Sequence, residues 1–241
     1  MHDSTRQRRK FQRGGLPVLS VDTQKKELVG AFKNAGRTWR QQPLEVWVTD
    51  FLQDAWGKAM PYGSYAITRK AGYVVVGRTH ETSVLAIAVM RSWGLVVGRP
   101  VHPDAQALLL EADRGGANGN RCWLWQIGLQ SLADEFGLTM TVAHYPAGAS
   151  KWNPIEQRLF SQISDKWVGQ PLHSYETVLK FMRTPQTATG LRCRTRLDTT
   201  AYKTGLKATT QDQAQINFKP QCTRPQYNYT IRPRACLKKS D

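Results

Sequence analysis

The sequence has few acidic side chains. Its 241 residues contain 18 Asp and Glu against 34 Lys and Arg, which gives a formal net charge of +16. The excess lies at the ends, because residues 1–40 carry a net charge of +7, residues 41–179 of −1 and residues 180–241 of +10. A uniformly basic disordered chain is excluded, since 40% of the residues are apolar. Basic ends around a near-neutral centre indicate a polyanionic partner, with nucleic acid first and an acidic membrane surface second.

Cysteine and long apolar runs are also scarce. The four cysteines form no Cys-x-x-Cys pair and no zinc spacing with histidine, which excludes a disulfide scaffold and suits reduced thiols in the cytoplasm. Without a Gly-x-Ser-x-Gly motif, serine-hydrolase chemistry has little support. The longest apolar run, residues 84–90, is well short of the ~20 residues that span a bilayer. We therefore expect no membrane-spanning segment, and of the two candidate polyanions we expect DNA as the partner and not the membrane.

Hydrophobic periodicity predicts an α/β fold. The predicted strands are residues 16–22, 63–68, 72–79, 107–113 and 138–144, and the predicted helices are residues 82–93, 120–136, 153–167 and 173–183. Three leading strands followed by alternation favour a mixed sheet with helices on both faces. The pattern fades after Pro185. We expect a basic N-terminal arm at 1–15, the α/β domain at 16–183 and a basic irregular C-terminal extension at 184–241.

Three acidic residues stand out by position. Asp22 and Asp113 end predicted strands, and the carboxyl ends of strands form the functional edge of open α/β sheets. Glu156 lies in the first turn of a predicted helix, on the same face as Phe160 and Ile163. Three carboxylates meeting at one edge would hold a hard cation such as Mg²⁺ or Mn²⁺.

Each acid also has a purely structural interpretation. Asp22 and Asp113 suit ordinary turns after strands. Asn153, Pro154 and Glu156 fit a helix start that is close to a capping box. Only the combined topological placement of the three acids favours a site.

Basic and aromatic side chains lie near these acids in the sequence. Lys25, Lys26, Arg114 and Lys151 are candidates for holding DNA phosphates, although a solvated lysine pair is the usual alternative for the first two. Trp152 is a candidate for stacking on a base, with core packing at least as common.

Two further features near the acids are a Gly-rich loop and two histidines. The Gly-rich residues 115–119 follow a strand, but they lack the spacing of a P-loop or a dinucleotide-binding turn. This loop therefore favours close access of metal or DNA to Asp113 over nucleotide binding. His80 and His144 sit at strand ends, where a structural histidine is more common than a catalytic one.

Three segments together resemble a family of bacterial insertion-sequence transposases, the Rhodopirellula-type DDE transposases. They are VDTQKKELVG at 21–30, ADRGGANG at 112–119 and HYPAGASKWNPIE at 144–156. The NPIE core at 153–156 also resembles the third-acid motif of mariner-like transposases. Shorter stretches at 32–34, 61–63, 171–172, 189–191 and 227–231 are similar as well, so the resemblance covers about residues 16–233.

The resemblance implies a ribonuclease-H-like fold with Asp22, Asp113 and Glu156 as the catalytic and metal-binding acids. It implies two Mg²⁺ ions, with Mn²⁺ as a substitute, and cleavage at transposon ends followed by attack of a DNA 3′-hydroxyl on target DNA. DNA and a second copy of the chain are the implied partners, in the bacterial cytoplasm.

The sequence departs from the family pattern in several places. Arg114 stands where Gly is usual, Gln157 where His is usual, and Arg78 and Thr79 precede His80 where acidic residues are usual. Family members are also longer at the N-terminus, so we expect a catalytic domain without the upstream DNA-binding helices. The alternatives are a catalytically inactive DNA-binding remnant and a ribonuclease-H-like nuclease acting on RNA–DNA hybrids.

Overall fold

The structure is a computed structural model that describes residues 2–48, 55–146, 148–188 and 190–234. Its strands are β1 Val18–Thr23, β2 Glu27–Val29, β3 Gly57–Ala66, β4 Ala71–Gly77, β5 Ala107–Ala112, β6 Thr139–His144, β7 Arg192–Asp198, β8 Phe218–Pro220 and β9 Asn228–Ile231. Its helices are α1 His2–Arg13, α2 Ser83–Trp93, α3 Arg99–Val101, α4 Trp123–Phe136, α5 Ser161–Lys166, α6 Tyr175–Arg183 and α7 Thr210–Ala214. Single π-helical turns lie at Gly94–Gly98 and Glu156–Phe160, and 3₁₀ turns at Gly116–Asn118 and Ser150–Trp152.

A mixed sheet forms the centre of the molecule. Its strand order in the described residues is β7-β4-β3-β1-β5-β6-β9-β8, with β2 beside β3. The strands β1, β5 and β6 run parallel, whereas β3 is antiparallel to both β1 and β4. An antiparallel leading half joined to a parallel half confirms the predicted mixed α/β fold.

Helices cover both faces of this sheet, as the sequence predicts. Successive residues of a strand point to opposite faces. In β5, Leu108 and Leu110 therefore pack in the cluster that includes α2 and α4, while Leu109 packs in the cluster on the other side. Ile163 of α5 and Val178 of α6 belong to that second cluster and are fully buried. The central strands are thus buried on both faces, which holds their carboxyl ends in a fixed geometry.

The prediction of an irregular C-terminal extension with little core is wrong for several segments. β7 pairs in parallel with β4, and β9 pairs with β6, so both halves of the sheet gain a strand from residues after 183. β7 was missed because exposed arginines alternate with partly buried residues along it, and charged side chains are typical of an edge strand. β9 was missed because it is short, although Tyr229 and Ile231 are buried in the core.

The expected N-terminal arm is a helix that packs on the sheet. Arg8 of α1 donates from Nε to Oε1 of Glu111 at 2.9 Å and from Nη2 to Oε2 at 2.5 Å. Tyr145 donates its hydroxyl to the same carboxylate at 2.8 Å and accepts from Arg8 at 2.9 Å. The Glu111 side chain is completely buried. This contact, which we call the Arg8 latch, compensates the charge of Glu111 and holds α1 against β5.

One stretch, Ser83–Val101, is long and apolar enough by length and composition to cross a membrane. The sequence pattern did not indicate it because Arg91 and Ser92 interrupt its apolar run. Leu85, Val89 and Trp93 of this stretch lie in the core cluster against the sheet. Core packing therefore accounts for its apolar character.

The described cysteines agree with the reduced state expected from the sequence. Cys122, Cys193 and Cys222 are free thiols. Cys236 lies outside the described residues.

The Arg8 latch predicts a measurable stability difference. Arg8→Met leaves Glu111 buried without its cationic partner, and we expect the free energy of unfolding to fall by about 3 kcal/mol in urea denaturation at neutral pH. Combining Arg8→Met with Glu111→Gln removes the uncompensated charge, so the double variant is expected to lose less than the single one. Equal losses for the two variants would contradict this role for the charge.

Candidate active site

Two of the three predicted acids lie side by side at one edge of the sheet. β1 and β5 are parallel neighbours with Val21 opposite Ala112, so Asp22 and Asp113, the next residue in each chain segment, meet at the carboxyl ends. Asp22 is the fifth residue of the six-residue β1, and Asp113 follows directly after β5. The expectation that strand topology brings these two carboxylates together is confirmed.

Glu156 reaches the same edge from the helical segment that follows β6. The segment starts after Asn153, and Glu156 opens its π-helical turn. Ile155, Leu159 and Ile163 are fully buried beneath it and fix the segment on the sheet. A π turn inside a helical segment is a local irregularity that is often found at functional sites. Here it starts at the predicted third acid.

The sequence did not predict the residue that connects the two aspartates. Asn153 is completely buried, and its Nδ2 donates to Oδ2 of Asp22 at 3.0 Å and to Oδ1 of Asp113 at 3.4 Å. Its Oδ1 accepts from the hydroxyl of Ser20 on β1. That hydroxyl in turn accepts from the backbone N–H of Ile155 at 3.1 Å. Asn153 and Ser20 thus join the helical segment to both acid-bearing strands.

These contacts replace the capping box that the sequence allowed as an alternative. The backbone N–H of Asn153 donates to the carbonyl of Ser150 at 2.8 Å, so it is already satisfied. The Asn153 side chain is turned towards the two aspartates, away from the first turn of its own helical segment. The only sequence signal was an asparagine at a helix start, and that signal is the same for an ordinary N-cap.

The pKa values of all three carboxylates are raised. Burial, followed by the nearby charge of Asp113, raises the pKa of Asp22 to about 8, against a smaller opposing effect of the Thr23 backbone N–H at 2.8 Å. Burial also raises the pKa of Asp113 above its ordinary value. Burial and the charge of Asp113 do the same for Glu156. Burial and mutual repulsion therefore oppose the ionisation of all three carboxyl groups at once.

The three acids offer the oxygen ligands that a divalent cation takes. Across the described ranges, Asp22, Asp113 and Glu156 form no ion pair with Lys or Arg. Carboxylate oxygens are hard ligands of the kind that Mg²⁺ and Mn²⁺ take. In the described part of the chain, no three His, Cys, Asp or Glu side chains lie close enough together to hold a metal ion as a group. The acids thus form an open edge. Asn153 joins two of them, Asp22 and Asp113, and the charge of Glu156 contributes to the raised pKa of Asp22.

The candidate DNA-binding residues differ in exposure and in the groups that they contact. The side chain of Lys25 is 83% exposed, and its Nζ lies 3.8 Å from Oε1 of Glu27. Trp152 is 46% exposed, and Nζ of Lys151 lies 5.4 Å from the centroid of its ring. Their binding roles stay predictions.

The other two candidate DNA-binding residues already have partners within the chain. Lys26 forms an ion pair with Glu81 at 3.0 Å. Arg114 lies over the ring of Tyr227 at 4.4 Å and donates to its hydroxyl at 3.1 Å. The guanidinium of Arg114 is therefore held to one side of the Gly-rich loop, and its DNA-binding role also stays a prediction.

The Gly-rich loop gives access to Asp113. Gly116 has a φ of +64°, and a Cβ at this position would lie 2.8 Å from a carboxylate oxygen of Glu81. Beside the loop, an open cleft of about 570 Å³ is lined by residues that include Asp113, Arg114, Arg121 and Gly148. A ligand in this cleft would approach Asp113 directly.

The two histidines differ in environment. His144 is buried, its Nδ1 lies 2.9 Å from the carbonyl oxygen of Asp113, and burial lowers its pKa to about 4. The ring is therefore neutral at physiological pH and can donate to that carbonyl, which suits support of the Asp113 backbone. His80 is exposed at the start of the segment that leads into α2.

Comparison with known proteins places the chain in one class, the transposase catalytic domains of the DDE type. The family model described as the Rhodopirellula transposase DDE domain matches residues 3–233, and the chain belongs to this family. No curated protein sequence matches the chain.

Two solved structures are similar in fold. One is the Mos1 transposase paired-end complex with left transposon end, at 15% identity and a TM-score of 0.47. The other is the Mos1 mariner paired-end complex with Mn, at 14% identity and a TM-score of 0.46. Each match covers 72% of this chain and 49% of the other, so this chain spans about half the length of the structures it matches.

The raised pKa of Asp22 predicts how metal-free stability changes with pH. Between its ordinary value and about 8, the folded protein keeps a proton that the unfolded chain has released, so stability falls as pH rises through this window. In EDTA we expect the free energy of unfolding to fall by up to about 1.4 kcal/mol per pH unit there. Asp22→Asn keeps the shape without the titration and should flatten this dependence. A variant with the same slope as the wild type would show that Asp22 is not its source.

Proposed function

We propose that this chain is the catalytic domain of a DDE transposase, which cleaves DNA at transposon ends and joins a DNA 3′-hydroxyl to target DNA. Asp22, Asp113 and Glu156 are the proposed catalytic acids. The observation that carries the proposal is the meeting of two strand-end carboxylates on Asn153, with Glu156 electrostatically coupled to them, in a chain of a transposase family.

The same three acids are the proposed ligands of two Mg²⁺ ions, with Mn²⁺ as a substitute. Support comes from the mutual repulsion of the three carboxyl groups, which a cation would relieve, and from the absence of Lys or Arg ion pairs to these acids among the described residues. Bound divalent ions would activate the attacking oxygen and stabilise the leaving oxygen of a phosphoryl transfer.

The chain's own groups position the acids for this chemistry. Asn153 donates to one oxygen of each aspartate and the Thr23 N–H to the other oxygen of Asp22, so each of these oxygens keeps a lone pair for a metal ion. Ser20 holds the Asn153 carbonyl oxygen, so the amide keeps its NH₂ group towards the acids. Neutral His144 supports the backbone of Asp113 from behind. Such outer contacts fix the orientation of ligands and tune the site.

DNA is the proposed partner, as both transposon end and target. Exposed Lys25 and Lys151 are suited to phosphate contacts, and Trp152 offers an exposed ring for stacking on a base. Lys26 and Arg114 join these contacts once DNA phosphates displace Glu81 and Tyr227 as their partners. Action as a homo-oligomer in the bacterial cytoplasm completes the proposal.

Asp113→Asn tests the function directly. With Mg²⁺ or Mn²⁺ and pre-nicked end DNA, we expect nicking and strand transfer to fall by more than the roughly 10–100-fold that loss of an outer-shell partner causes, because a direct ligand is removed. Asp165→Asn, an exposed acid on α5, is the matched control and should leave the rates unchanged.

Two outcomes would contradict the proposed transposase activity. Salt-sensitive DNA binding without metal-dependent turnover in the wild type would identify an inactive DNA-binding remnant. Cleavage confined to RNA–DNA hybrids would identify a nuclease of the same fold.

Asn153 gives a second, more selective prediction. Asn153→Ala leaves the three acids in place but removes the donor between the two aspartates, so we expect activity to fall about 10–100-fold and the Mg²⁺ concentration for half-maximal rate to rise. Asn153→Ala with unchanged metal dependence would show that the amide does not organise the acids.

A further inference from the structure

Helix α1 carries cations in two different settings. Arg8 is turned towards the sheet and latched to buried Glu111. The other four basic residues of α1 are exposed. Counted from the first of them, Arg6, the other three follow at offsets of three, four and seven residues, which places all four on one side of the helix. We call this set the α1 stripe: Arg6, Arg9, Lys10 and Arg13.

Among the side chains that the structure describes, the four cations of the α1 stripe form no ion pair with Asp or Glu. Like charges three and four residues apart repel one another on a helix surface. The Arg8 latch and the partly buried Phe11 hold the helix on the sheet in spite of this repulsion. A polyanion lying along the stripe would remove the repulsion.

The position of α1 relates the stripe to the catalytic edge. Arg8 contacts Tyr145, whose backbone N–H bonds to the carbonyl of Ala112, the residue before Asp113. Gln12 contacts Thr68 in the β3–β4 connection, at the opposite end of the sheet. From Arg8 onward the helix therefore runs from the level of Glu111, near the catalytic edge, towards the opposite end of the sheet. Glu111, its anchor, lies roughly 7 Å along the strand from Asp113.

We propose that the α1 stripe binds the phosphate backbone of duplex DNA that continues past the catalytic edge. From Arg6 to Arg13 the stripe extends about 10 Å at the rise of an α-helix. That length corresponds to about three phosphates of one strand. The proposal deepens the proposed function, since it assigns a surface to the same DNA substrate and depends on that function for the identity of the polyanion.

Binding measured in EDTA tests the stripe apart from catalysis. The probe is a labelled DNA duplex of random sequence, titrated over a range of salt concentrations. A variant with all four stripe cations changed to Gln is expected to bind more weakly. The slope of log affinity against log salt should fall by about 3, because each phosphate that the protein no longer neutralises reduces it by about 0.9.

The matched control removes four exposed cations elsewhere: Arg69→Gln, Lys166→Gln, Lys180→Gln and Arg192→Gln. The proposal predicts a small change of slope for this control. An equal loss of affinity in both variants would show that only net charge matters, and it would overturn the proposal. An unchanged DNA slope with abolished binding to vesicles of anionic lipid would assign the stripe to a membrane surface and overturn it as well.

A charge reversal separates binding from folding. Arg9→Glu creates opposite-charge pairs with Arg6 and Arg13 on the same face, which stabilise a helix. The proposal predicts weaker DNA binding together with an unchanged or raised melting temperature. Wild-type DNA affinity in Arg9→Glu would contradict it.

The experiments can reject the proposed catalytic activity and the proposed DNA binding by the α1 stripe independently of each other. If Asp113→Asn nicks DNA as the wild type does while the stripe variants lose affinity, the catalytic assignment fails and the stripe stands. If the stripe variants bind normally while Asp113→Asn is inactive, the reverse holds.

Discussion

The hydrogen bonds of Asn153 to Asp22 and Asp113 are the interaction on which the site depends. Two carboxylates that lie together at a partly buried sheet edge repel each other, and burial adds to the cost of ionising them. One amide NH₂ group donating to both offsets part of this repulsion and sets their separation. Because Ser20 also binds Asn153 and Ile155, the same network connects the helical segment carrying Glu156 to β1.

The pairing and packing of the sheet strands position the two aspartates that this network connects. Parallel pairing of β1 and β5 brings the aspartates level with each other, and packing on both faces keeps those strands in register. The remaining negative charge at the edge would repel DNA unless cations intervened. In the proposed function, metal ions at the acids and basic side chains around them, including those of α1, would both offset this repulsion.

Much of this arrangement could be predicted from the sequence, and the rest could not for identifiable reasons. Asp22 and Asp113 were predictable because apolar runs mark β1 and β5, and strand ends meet at one edge. Asn153 was not, because an asparagine before proline at a helix start has an adequate local explanation as a cap. The Arg8 latch joins residues 103 positions apart. Long-range polar contacts of this kind leave no periodic pattern, and neither do edge strands with alternating arginines such as β7.

The most direct test of the central claim is anomalous X-ray diffraction from crystals of this chain grown with Mn²⁺. We predict anomalous density between the carboxylates of Asp22 and Asp113, with Glu156 completing the ligands. Loss of that density in Asp113→Asn crystals would complete the assignment. Anomalous density elsewhere, with none at these acids while metal-dependent DNA cleavage persists in solution, would contradict the account.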